Sequence, residues 1–128
     1  MYDFDDLERM ASDWERTARA DLARAENLAH TVAALTGEAA DRSGAVKITV
    51  DAAGALVDLR VDARAMSWPP HRLSQTILDT SAAARRDYAT VATARAKEIL
   101  GADGTSLAVF EAGLRERTPA DPKPKEQW

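Results

Sequence analysis

The chain has 128 residues, with 17 Lys and Arg against 21 Asp and Glu, two His and no Cys. That length makes one domain with a modest core, and the missing Cys excludes a disulfide framework, a zinc–thiolate site and a Cys nucleophile. No apolar run approaches ~18 residues and the start, MYDFDDLER, is acidic, so a cytoplasmic protein with neither membrane span nor secretory signal is expected.

The formal charge of −4 argues against a protein that coats nucleic acid by bulk electrostatics alone. The charge is unevenly spread. Residues 1–36 carry 4 basic and 8 acidic groups, whereas residues 67–100 carry 5 and 3, so a polyanion would meet that later segment most readily.

The first predicted element is a long helix. Reading heptads from Phe4 places Phe4, Ala11, Ala18, Ala25 and Val32 at one core position, and Leu7, Trp14, Asp21, Leu28 and Leu35 at the other. Nine of these ten are apolar, which is coiled-coil spacing, and no Gly or Pro interrupts residues 1–36. Asp3, Asp5 and Asp6 suit the positive end of such a helix. Arg9 and Arg16 fall on the outer face as solvated charges; Asp21 is the one defect in the seam. About 33 helical residues span roughly 50 Å, against a diameter near ~36 Å for a compact globule of this size. The seam therefore needs a cover from a second helix, from another chain, or from both, and Trp14 within it is expected to be buried.

The middle of the chain changes period. Val46, Ile48 and Val50 alternate with Lys47, Thr49 and Asp51, and Val57, Leu59 and Val61 alternate with Asp58, Arg60 and Asp62. Period two with one apolar face predicts an antiparallel hairpin covered on one side, turning at Asp51-Ala52-Ala53-Gly54. The stretch Ala34–Asp41 reads either as the end of the helix or as a third, edge strand; a lone hairpin is marginal in water, which favours the strand.

Trp68-Pro69-Pro70 precedes a second long helix, free of Gly and Pro from His71 to Leu100 and stopped by Gly101. Its apolar residues Leu73, Ile77, Ala84, Tyr88, Val91 and Ile99 recur at threes and fours. Residues 1–100 thus read as one dimerising α+β unit. Residues 101–117 hold a short amphipathic stretch around Leu107, Phe110 and Leu114, and residues 118–128 (TPADPKPKEQW) read as a disordered tail.

Within this order, Ser43-Gly44-Ala45-Val46-Lys47-Ile48-Thr49-Val50-Asp51-Ala52-Ala53-Gly54 followed by Leu56-Val57-Asp58-Leu59-Arg60-Val61-Asp62 resembles the YbaB/EbfC family of bacterial nucleoid-associated proteins. Its sheet typically reads G-x-V-x-V-T, a short turn, then a strand closing on an Asp. The resemblance spans roughly residues 5–100. It implies an α-β-β-β-α protomer that dimerises, projects its helices as tweezer arms and binds DNA with little sequence preference. The family's second helix often carries Asn-Asp-Ala where this chain has Ser81-Ala82-Ala83-Ala84. Similar proteins stand beside type VII secretion genes, so a chaperone-like accessory role, with a partner helix held in an apolar groove, is the competing reading.

Phosphate contacts require cations on one surface. The candidates are Arg72, Arg85, Arg86, Arg95 and Lys97 on the second helix, with Lys47 and Arg60 on the polar sheet face. Arg72, Arg86 and Lys97 are 14 and 11 residues apart, close to whole turns, and form one predicted stripe. Arg85 lies about 100° from Arg86. The expected dimer and core seam comprises Phe4, Leu7, Trp14, Leu28, Val32 and Leu35 with Val46, Ile48, Val50, Val57, Leu59 and Val61.

Enzyme readings find no support. His30 and His71 have no paired ligand at metal spacing, and the glycines at Gly37, Gly101 and Gly104 lack the G-K-[ST] ending of a phosphate loop. No metal or cofactor is expected; the expected partners are a second copy of the chain and DNA.

Overall fold

A computed structural model describes residues 3–120. The chain runs α1 (Phe4–Ala33), β1 (Gly37–Ala40), β2 (Val46–Val50), β3 (Leu56–Val61), a short 3-10 helix (Ala63–Ser67), α2 (Pro70–Leu100) and α3 (Thr105–Arg117). Ala34–Asp41 resolves into a helix end and a true third strand. The antiparallel sheet has the order β1-β2-β3. Trp128 and the tail from Asp121 onward lie outside the described residues.

Both turns of the sheet are held by an Asp and relaxed by a Gly. Asp41 accepts from the Val46 amide at 2.9 Å and the Ser43 hydroxyl at 2.7 Å, with Gly44 at φ 75°. Asp51 accepts from the amides of Ala53 at 2.9 Å and Ala55 at 3.0 Å, with Gly54 at φ 84°. The Asp that closes β3, Asp62, then caps the 3-10 helix through the Arg64 amide at 3.1 Å.

The core lies between the sheet and α2. Val46, Ile48 and Val50 are buried against Ala84, Tyr88 and Ala92. Edge strand β1 is locked onto α2 in two ways. A Cβ at Gly37 would fall against the Ala84 carbonyl and 2.6 Å from the Tyr88 amide nitrogen, so only glycine allows this approach. The Glu38 amide, facing outward from the edge, donates to Asp87 of α2 at 2.9 Å.

The other edge differs from expectation. A bulge beside Val57 pairs Leu56, not Val57, with Val50, while Leu59 faces Ile48 and Val61 faces Val46. Strict alternation of Val57, Leu59 and Val61 therefore fails at its first member. Helix α2 lies over β1 and β2, so Leu56, Val57 and Leu59 stay exposed and Val61 half-buried.

Helix α1 is the second departure. Only its end joins the core: Leu28 is buried, and Val32 and Leu35 pack beside it. From residue 4 to residue 27, about 36 Å of helix, no side chain is buried. Phe4, Leu7 and Trp14 are exposed, Trp14 at 79%. Trp14 is thus not buried within one chain. Helix α2 packs beside the last turns of α1, and the start of α3 borders α1 back to about Asp21. Single-turn pairs Arg16–Asp13 at 3.5 Å and Arg24–Asp21 at 3.1 Å dress the arm; exposed pairs of this kind add little stability.

The short amphipathic stretch is a full helix, α3. It buries Leu107 and Leu114 and lays Phe110 against the junction of α1 and α2.

Candidate nucleic-acid interface

The seven cations singled out in the sequence divide among four places. Arg86 and Lys97 share one face of α2 and line a single cleft of about 840 Å³ between α2, α3 and residues 118–120. Arg72 sits fourteen residues before Arg86 on the same stripe, its guanidinium 4.1 Å from the centroid of the Trp68 ring. That cation–π contact fixes the side chain without neutralising it.

Arg85 and Arg95 leave the stripe. The Arg85 aliphatic stem packs 3.2 Å from where a Cβ on Gly54 would stand, directing the side chain toward the β2–β3 turn, and its Nε is buried with no protein partner among the described residues. Arg95 is turned to Glu98, 3.2 Å away. Lys47 and Arg60 are cross-strand partners on the sheet face away from α2, where Arg60 also meets Asp58 at 3.1 Å. Asp62 pairs with Arg64, at 3.3 Å.

One cation escaped sequence reasoning. Arg115 of α3 lines the same cleft as Arg86 and Lys97. The signal was local: Arg115 follows Leu114, whose burial turns the next residue about 100° to the edge of the packed face. What no local pattern reveals is that α3 folds back along α2.

Three titrating groups are displaced from their ordinary values. For Asp41, burial opposes ionisation, but the Val46 amide, the Ser43 hydroxyl and neighbouring amides outweigh it and lower the pKa. For Asp62, the Arg64 amide and then the Arg64 side chain lower it. For Tyr88, burial raises it, with Arg117 opposing and Asp51 adding. All three hold the fold in place, and none faces the basic cleft.

A second, apolar cleft of about 600 Å³ opens between α1 and α3, bordered by Leu28, Val32, Val109 and Phe110. Among the described residues, no three His, Asp or Glu side chains gather as metal ligands, and no helix is long and apolar enough to cross a membrane.

A long helix, a three-stranded meander and a second long helix define a small α+β protein. Residues 6–103 match the YbaB/EbfC DNA-binding family, more than half of the chain, and the protein belongs to that family of nucleoid-associated DNA-binding proteins. Comparison with curated proteins and with solved structures gives no match. The matched segment ends before α3 begins.

Proposed function

We propose that the protein acts as a homodimeric, nucleoid-associated DNA-binding protein that grips the backbone with little sequence preference. The observation that carries this reading is the stripe of Arg72, Arg86 and Lys97 along one face of α2, in a chain whose family is DNA-binding. Cations on a helix face meet phosphates and carry no base code, which is why loose preference follows.

Pairing is supported by the bare arm. Phe4, Leu7, Met10, Trp14 and Leu22 are all exposed. Burying five such side chains against a second copy is worth about 8–15 kcal/mol before the costs of association. The uncovered Leu56, Val57 and Leu59 of β3 offer a further apolar surface to the same partner.

The test is retention of the full chain on two unrelated duplexes at low salt. Charge reversal of Arg72, Arg86 and Lys97 together weakens binding equally on both. A loss confined to one duplex, or no loss, contradicts the proposal.

A second reading has one observation in its favour. The apolar cleft between α1 and α3 has the lining that an amphipathic partner helix requires. A chain that ignores DNA at low salt and captures such a helix would be a protein-binding accessory factor.

A further inference from the structure

The seam of α1 is exposed along the arm and runs into a cleft where the arm joins the body. Over residues 4–27, about 36 Å of helix, no side chain is buried. Phe4, Leu7 and Trp14 stand on this seam, Met10 and Leu22 flank it, and each is more than half exposed. The same line of residues continues through Ala25 and Leu28 into the apolar cleft of about 600 Å³ that Val109 and Phe110 of α3 border. One apolar track thus links the tip of the arm to the cleft. Covering five large side chains on each of two arms buries on the order of 1,200 Å², the size of a specific interface.

The order of residues along the track decides how two copies lie. Side by side in the same direction, every seam residue meets itself. Trp14 against Trp14 overfills a layer, Ala18 against Ala18 leaves one empty, and Asp21 against Asp21 stacks like charges. The acidic starts, Asp3, Asp5 and Asp6, would also meet. In opposite directions the layers become complementary. With Phe4 level with the partner's Leu28, Leu7 faces the partner's Ala25 and Trp14 faces the partner's Ala18. Each bulky side chain then has a small one opposite, as even packing requires. Asp21 faces the partner's Ala11 and keeps its own Arg24 at 3.1 Å. Glu15 comes nearest its copy, at the centre of the pair, with Arg19 3.9 Å from it. This overlap uses the full free length of both arms and stops where each body begins.

We propose that two copies pair through antiparallel α1 arms, residues 4–27 against residues 4–27, and that Phe4 of each sits at the mouth of the other's α1–α3 cleft. The inference rests on the pairing reading above and deepens it by naming the face and the direction. It sets the two bodies at opposite ends of the paired arms. One wall of the cleft is α3, a helix outside the family-matched segment.

The chain has no Cys, so introduced thiols read the direction without background. Ala11→Cys and Asp21→Cys are made singly in the full chain; both sites are exposed, and circular dichroism checks folding. Each variant is treated with a short bis-maleimide alone, and then as an equilibrated mixture of the two. Only the mixture gives a covalent pair on a denaturing gel, because position 11 faces position 21 while like positions stand about 15 Å apart along the axis. Phe4→Glu and Val109→Glu, both at exposed sites, each weaken pairing several-fold in a dilution series followed by light scattering. Links in either variant alone overturn the antiparallel direction. Unchanged pairing in both Glu variants overturns the seat at the cleft. A protein of doubled mass that links in no arrangement overturns the arm pairing and leaves the dimer standing. A wild type that scatters as a single chain overturns the dimer itself, and this inference with it.

Discussion

The Tyr88 hydroxyl donates to the Val32 carbonyl at 2.8 Å, joining α2 to the end of α1 across 56 residues of chain. This bond marks where the arm leaves the body. From Leu28 through Val32 to Leu35 the chain packs into the core; before Leu28 the helix has no buried residue among those described. Tyr88 therefore sets the direction of the arm as well as closing the core beneath it.

Tyr88→Phe keeps the ring and removes the bond. The expected cost is about 1 kcal/mol, seen as a melting temperature lower by roughly 3–6 °C. Because burial raises the Tyr88 pKa above its ordinary 10.0, the wild type keeps this stabilisation at all pH values below that ordinary value. It loses it as pH climbs through the raised one. Melting followed from pH 8 upward tests the sign: the gap between wild type and Tyr88→Phe narrows on the alkaline side.

Gly37→Ala forces a methyl group onto the Ala84 carbonyl and the Tyr88 backbone. Backbone cannot swing aside as a side chain does, so the cost lies at the upper end of overpacking, about 3 kcal/mol. A lower urea midpoint with an unchanged slope is the expected result. An unchanged midpoint contradicts the close β1–α2 approach.

Asp41 holds the β1–β2 turn through groups that favour its ionised form, so its pKa is lowered from 3.8. Its contribution is present above that ordinary value and fades as pH falls through the lowered one. Asp41→Asn is therefore less stable than wild type at pH 7, and chemical denaturation at pH 2–3 finds the two closer together.

Much of the architecture was legible because local patterns carried it. Heptads marked α1, period two marked β2 and β3, Trp68-Pro69-Pro70 and Gly101 bracketed α2, and the closing Asp62 kept its place as a cap. The third strand stayed open between two readings because Gly37–Ala40 is only four residues long and shows no alternation of large apolar groups. Its identity comes from a contact 47 residues away, where Ala84 leaves room for glycine alone. The candidate interface was half legible. Spacing put Arg86 and Lys97 on one face, but Arg115 reached them only through tertiary folding of α3. Burial of Trp14 could not follow from heptads, since a seam states which residues want a cover and not which chain supplies it.

Trp14→Glu places a charge in the middle of the exposed seam, where the indole is 79% exposed. In the single chain this change is neutral, so the thermal transition of the body is unchanged at low concentration. Light scattering at micromolar concentration reads a wild-type mass of twice 13.9 kDa and a shift of the variant toward one chain. A wild type that scatters as a single chain contradicts the paired arm.

The salt dependence of DNA binding tests the central claim most directly. A pair offering six phosphate contacts loses affinity with rising salt at a log–log slope near −5, and alike on unrelated sequences. A flat response, or no complex at low salt, would contradict it.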